Sequence, residues 1–86
     1  MLIRGVVTDE QGKPLPWASV AFHSGPVDLP DIAAVSNDAG VFALTAPVPG
    51  RYRLNVHADD HEGRAVDVDV GAAEVAVTVQ LTRSGG

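Results

Sequence analysis

The stretch EVAVTVQL at 74–81 restricts the fold more than any other part of the chain. Val75, Val77, Val79 and Leu81 fall on one side, and Glu74, Ala76, Thr78 and Gln80 on the other. Alternation of this kind is the period of an extended strand, whose successive side chains point to opposite faces. AVDVDVG at 65–71 repeats it, with Val66, Val68 and Val70 opposite Asp67 and Asp69. RYRLNVHA at 51–58 repeats it again, with Tyr52, Leu54, Val56 and Ala58 opposite Arg51, Arg53, Asn55 and His57. Strands dry on one face and wet on the other belong to antiparallel sheets that pack face to face.

The first half is less regular but follows the same grammar. LIRGVVTD at 2–9 is a strand with Ile3, Gly5 and Val7 on one side, and DEQG at 9–12 is a turn whose glycine supplies a positive φ. KPLP continues in extended form, and WASVAFH at 17–23 is a strand with Ala18, Val20 and Phe22 inward. SGPVDLPD at 24–31 is a loop, IAAVS at 32–36 a short strand and NDAG at 37–40 a tight turn. VFALTA at 41–46 is a strand with Phe42 and Leu44 inward, and PVPG at 47–50 is the turn before RYRLNVHA. Seven short strands with no helical period predict an all-β, seven-stranded antiparallel Greek-key β-sandwich. With 86 residues this is one domain, taken as 1–82, with 83–86, including Gly85 and Gly86, as a flexible tail.

Composition excludes several functions. The chain has no cysteine, hence no disulfide or thiolate metal site. Its net charge of −5 repels phosphate, which argues against nucleic acid or an anionic membrane as partner. No apolar run approaches the roughly 20 residues of a membrane span, so no membrane insertion is expected. The chain enters its strand pattern at Leu2 without a basic and then apolar leader. The expected compartment is cytoplasmic if Met1 is the native start and extracytoplasmic if a processed segment precedes it.

Taken in order, IRGVVTDEQGKPLPWASVAF at 3–22, NDAGVFAL at 37–44 and PGRYRLNV at 49–56 resemble the carboxypeptidase regulatory-like domain, a transthyretin-like sandwich. The positions that carry the resemblance are Gly5, Asp9, Gly12, Pro14, Leu15, Ala18, Val20, Asp38, Gly40, Phe42, Gly50, Tyr52 and Leu54. Asn37 stands where the family has a threonine, and ADDHEG replaces its Gly-Tyr after the fifth strand. The resemblance implies an accessory module that assists folding, docking or ligand presentation, not a catalyst. The same fold hosts a 5-hydroxyisourate hydrolase. Its first-strand histidine would fall at Arg4 to Val7, and its closing Tyr-Arg-Gly-Ser is absent here.

Several of these positions also have a physical task. Gly5 within a strand permits close approach of a neighbour. Asp38 can accept hydrogen bonds from its own turn, which Gly40 closes. Tyr52 offers its ring to the core and a hydroxyl that needs a partner.

Three groups of residues carry candidate functions, and none is catalytic: Ser19, Ser24, Ser36 and Ser84 lie in no nucleophile elbow. Trp17, the single tryptophan, is turned away from Ala18, Val20 and Phe22. It is either an exposed anchor for a protein partner or a cover folded over the sandwich edge. Val27, Leu29 and Pro30 give the 24–31 loop an apolar tip, either a recognition element or a plug for the sandwich end. His57, Asp59 and His61 supply the types of side chain that bind a divalent metal, the one cofactor the residues suggest. His57 and Asp59, two apart on a strand, share its outward face, and His61 joins only if the chain turns sharply. The bland reading is the wet tip of a hairpin. In that hairpin, Arg53 is expected to face Asp69. The favoured reading is an accessory module that docks on a protein partner or larger assembly. A metal- or ligand-binding domain is second and a transthyretin-like hydrolase third.

Overall fold

The computed structural model describes residues 1–29 and 32–84. Seven strands follow in order: β1 (Leu2–Thr8), β2 (Ser19–Ser24), β3 (Ala33–Val35), β4 (Val41–Thr45), β5 (Gly50–His57), β6 (Arg64–Val70) and β7 (Val75–Gln80). They form a three-stranded sheet, β4-β1-β7, and a four-stranded sheet, β3-β2-β5-β6. The two sheets close on each other through the apolar face of each strand, as the alternation requires. Ile3 and Val7 of β1, Val20 of β2, Phe42 and Leu44 of β4, and Tyr52, Leu54 and Val56 of β5 are buried together with Val68, Val70, Val79 and Leu81. Fully burying such an aliphatic or aromatic side chain stabilises by about 1.5–3 kcal/mol. The sandwich is thin, so each of these side chains matters.

Two positions show how closely the faces meet. A Cβ on Gly5 would lie 2.5 Å from Cζ of Phe42 and 2.6 Å from the carbonyl oxygen of Val77. The phenyl ring of Phe42, paired in register with Gly5, therefore lies over bare backbone. Tyr52 is 1% exposed, and its hydroxyl donates to the Val48 carbonyl at 2.6 Å. That bond anchors the turn before β5 and satisfies the one polar atom the buried ring brings with it. Phe22 packs on Tyr52 with ring centroids 5.4 Å apart.

The structure departs from the sequence expectation in several places. The pairings β1–β4, β2–β3, β2–β5 and β5–β6 are antiparallel, but β1 and β7 pair in parallel. Parallel neighbours need a long connection, and the whole chain between them supplies it. The expected Arg53–Asp69 pair is replaced by a register in which Arg51 faces Asp69 and Arg53 faces Asp67. Arg53 Nε lies 3.2 Å from Asp67, and Arg51 lies 3.7 and 3.8 Å from Asp69 and Asp67. The loop between β5 and β6 sets this register, and its length was not evident from alternation. The Arg83 amide donates to Glu10 Oε1, and the Ser84 amide donates to the Asp60 carbonyl. Gly85 and Gly86 lie outside the described residues.

Candidate functional site

The approach to β2 runs through a turn, Leu15–Pro16–Trp17–Ala18. Proline at the second position of such a turn is ordinary, and a positive φ at the third calls for glycine. The third residue here is Trp17, at φ 64°. A non-glycine residue in that region costs about 1–2 kcal/mol, because its Cβ crowds the following carbonyl. Burial does not offset the cost, since Trp17 is 78% exposed. Of the two readings open from the sequence, exposure holds.

Ser36, just after β3, holds this conformation. The Trp17 amide donates to the Ser36 carbonyl at 3.0 Å, and the Ser36 amide donates to the Ala18 carbonyl at 2.9 Å. Two residues of one strand thus face one residue of its neighbour, with the first in the left-handed region. This is the pattern of a glycine-type β-bulge, with tryptophan in the glycine's place. The Ser36 hydroxyl completes the device. It accepts from the Ala18 amide at 2.8 Å and donates to the Leu15 carbonyl at 2.7 Å. It is therefore inserted between the two groups that would otherwise close the turn directly. Ser36 is the one buried polar residue of the described chain, and both capacities of its hydroxyl are used. No sequence signal marked it, because its role exists only once β3 lies beside the bulge.

Next to this turn lies the edge of the four-stranded sheet. Val35, paired with Ser19, is 53% exposed, and Ile32 is 59% exposed. With Trp17 they give the β2–β3 side an apolar margin. The other expected contacts lie elsewhere. Val27 is exposed, whereas Leu29 is half-buried and packs against the core. Pro30 lies outside the described residues. Trp17 precedes β2 and the 24–31 loop follows it, so the six residues of β2, about 20 Å of strand, separate them. Trp17 and Val27 thus stand beyond opposite ends of β2.

The residues of the expected metal set, His57, Asp59 and His61, do not share one strand face. β5 ends at His57, and Asp59 and Asp60 form a turn, with Asp60 at φ 64°. His57 lies over Gly63, whose absent Cβ would sit 2.8 Å from the ring Nδ1. His61 Nδ1 bonds instead to the Asp59 carbonyl at 2.8 Å. Among the described residues, no three His, Asp or Glu side chains gather as a metal would require. The loop is fixed to the end of the chain, with the Glu62 amide donating to the Thr82 carbonyl and the Ser84 amide to the Asp60 carbonyl.

A shallow cleft beside it is lined by Asp9, Glu10, Gln11, His61 and Arg83. Its acids are committed to structure. Asp9 Oδ1 accepts from the Gln11 and Lys13 amides, and Glu10 accepts from the Arg83 amide. The Lys13 amide, with smaller help from Gln11, holds the Asp9 carboxyl below its ordinary value.

Comparison with known proteins agrees with this architecture. Two forms of a type II Cohesin–X–Dockerin complex from Acetivibrio cellulolyticus, one with a C-terminal and one with an N-terminal interface mutation, contain chains that superpose with TM-scores of 0.72 and 0.71. Identity is 12% and 13%, over 94% and 96% of this chain. The match spans 56% and 58% of those chains, so this chain covers a little over half of their length. The C-terminal domain of the Caf1A usher superposes with a TM-score of 0.62 at 13% identity, over 99% of this chain and all of that one. Conserved hydrophobic clusters on the surface of that usher domain are described as important for F1 antigen assembly. A search among curated proteins gives no match. The family model of the carboxypeptidase regulatory-like domain matches residues 2–82, and the chain belongs to that family.

Proposed function

We propose that the chain is a non-catalytic docking module, and that it binds a protein partner or larger assembly through the Trp17 end of the β2–β3 edge. The observation that supports this is the conformation of Trp17. A large apolar ring is held in solvent on a backbone that favours glycine, and the fold gains no burial from it. Strained backbone of this kind clusters at functional sites, and tryptophan is frequent among the anchors of interfaces. The similar folds found in a Cohesin–X–Dockerin complex and in an assembly usher are in keeping with such a role. Val27 adds a contact for a partner long enough to run the length of β2.

The test is capture of partners from the native host with the wild-type domain and with Trp17→Gly. Glycine suits the backbone at 17, so the variant folds while the ring is lost. Loss of the recovered partner supports docking at Trp17; undiminished recovery by the folded variant rejects it.

A further inference from the structure

The edge beside Trp17 has a more specific chemistry than exposure alone suggests. In an antiparallel ladder, the backbone groups of alternate residues point toward the neighbouring strand and those between them point away. The Ser36 amide points to β2, where it meets Ala18, and Ala34 stands two residues earlier, opposite Val20. The amides and carbonyls of Ala33 and Val35 therefore point away from β2. Among the described residues they have no hydrogen-bond partner, since β3 pairs only with β2.

The other edge of this sheet is protected differently. β6 carries Arg64, Asp67 and Asp69, and Arg64 reaches across to the Gln80 carbonyl. Charged side chains are a common defence of a sheet edge. β3 carries none: its sequence is Ala-Ala-Val, and exposed Ile32 precedes it.

Charge narrows the occupant further. No lysine or arginine occurs between residues 14 and 50, while Asp28 and Asp38, one on either side of β3 in the chain, are exposed. The four arginines of the second half of the chain include Arg51 and Arg53, which are engaged by Asp67 and Asp69.

We infer that β3 is the template for an added strand: an extended segment of the partner protein, apolar at alternate positions and flanked by lysine or arginine, pairs with the free backbone of Ala33 and Val35 and ends against Trp17. The inference rests on the docking reading and specifies its ligand. A segment of about six extended residues matches the roughly 20 Å of β2 between Trp17 and the turn that carries Val27, which joins the two apolar ends of the edge under one ligand. Backbone pairing supplies the attraction, and the neighbouring side chains select the sequence.

The probe is a synthetic ten-residue peptide of alternating valine and threonine with lysines at both ends. Binding is followed by amide exchange and by titration of the isotope-labelled domain. Binding slows exchange of the Ala33 and Val35 amides. Val35→Pro removes an outward amide that no internal bond uses, so the domain keeps its fold. It weakens the peptide on the order of tenfold, as loss of one backbone hydrogen bond does. N-methylation of alternate peptide amides has the same effect on the wild-type domain and serves as the test should Val35→Pro unfold.

No binding at millimolar peptide, or binding that leaves Ala33 and Val35 unprotected and survives N-methylation, overturns strand addition. Equal binding of a glutamate-flanked peptide overturns the charge assignment. A dimer of the domain alone that Val35→Pro dissociates makes the occupant a second copy and overturns the partner segment. Failure here with Trp17-dependent capture intact leaves docking standing by another geometry. Failure of both removes the docking reading itself.

Discussion

Two neighbouring turns meet the same demand in opposite ways. The turn from Asn37 to Val41 is self-contained. Asn37 Oδ1 accepts from the Ala39 and Val41 amides, the Gly40 amide donates to the Asn37 carbonyl, and the left-handed position is filled by glycine at φ 74°. The turn from Leu15 to Ala18 is closed by the hydroxyl of Ser36, just after β3, and its left-handed position is filled by tryptophan. The first is what local stability selects. The second gives up local stability and depends on Ser36, a residue 18 positions from Ala18. The contrast separates a turn that serves the fold from one in which the fold holds a side chain outward.

The largest effect is expected where the self-contained turn is broken. A Cβ at Gly40 would lie 2.5 Å from the carbonyl oxygen of Val7, on a backbone that already disfavours it. Gly40→Ala is expected to cost about 2–3 kcal/mol, read as a lower urea midpoint with unchanged slope. Ser36→Ala breaks the other turn and leaves the Ala18 amide and Leu15 carbonyl without their partner. The expected loss is about 2 kcal/mol, because unmade buried hydrogen bonds are expensive. Ser36→Thr, which keeps a hydroxyl, is expected to lose less. Equal stability of Ser36→Ala and wild type would show that the turn closes directly between Leu15 and Ala18.

The sharpest form of the comparison is Trp17→Gly, which gives the second turn the residue that the first one has. It is expected to raise stability by about 1 kcal/mol, the released strain less the added freedom of the unfolded chain. Trp17→Ala keeps the strained φ and is expected to gain nothing. Because Trp17 is the only tryptophan, unfolding is followed by circular dichroism. An alanine variant more stable than the glycine variant would mean that the backbone at 17 carries no strain, and the case for a functional cause would lose its basis.

What the sequence made legible was local. Alternation identified the inward residues of β1, β4, β5 and β7, since burial on one face leaves a period of two in the chain itself. The glycine at 40 and the close approach at Gly5 were legible for the same reason: each is a demand on one residue. Asp38 was expected to accept the bonds of its turn, yet Asn37 accepts them, a shift of one position that composition does not resolve. The register of Arg51 and Arg53 depended on the shape of the loop after His57. The parallel pairing of β1 and β7 joins the two ends of the chain, where no local pattern reaches. At the candidate site Trp17 was legible as an outward residue. Its left-handed backbone and its dependence on Ser36 were not, because both arise from a bulge across two strands. The shared face of His57 and Asp59 assumed a strand that runs past His57, and where β5 ends is not written in its alternation.

The smallest expected effect concerns a third turn, Asp9 to Lys13, closed by its own first side chain as the Asn37 turn is. Asp9 Oδ1 accepts from the Gln11 and Lys13 amides at 2.8 and 2.9 Å, and the Lys13 amide is the main reason its carboxyl is held below the ordinary value. A carboxyl with a lowered value in the folded state stabilises above the unfolded value, about 3.9, and ceases to do so as pH falls through the folded one. Asp9→Asn keeps an oxygen that can accept both bonds but removes the charge that strengthens them. The variant is therefore expected to be slightly less stable than wild type at pH 7, and the gap is expected to close as the pH drops below the ordinary carboxylate range. Thermal melts of both proteins across that range measure it. A gap that widens in acid would reverse the sign of the linkage, and would mean that the folded turn favours the protonated acid.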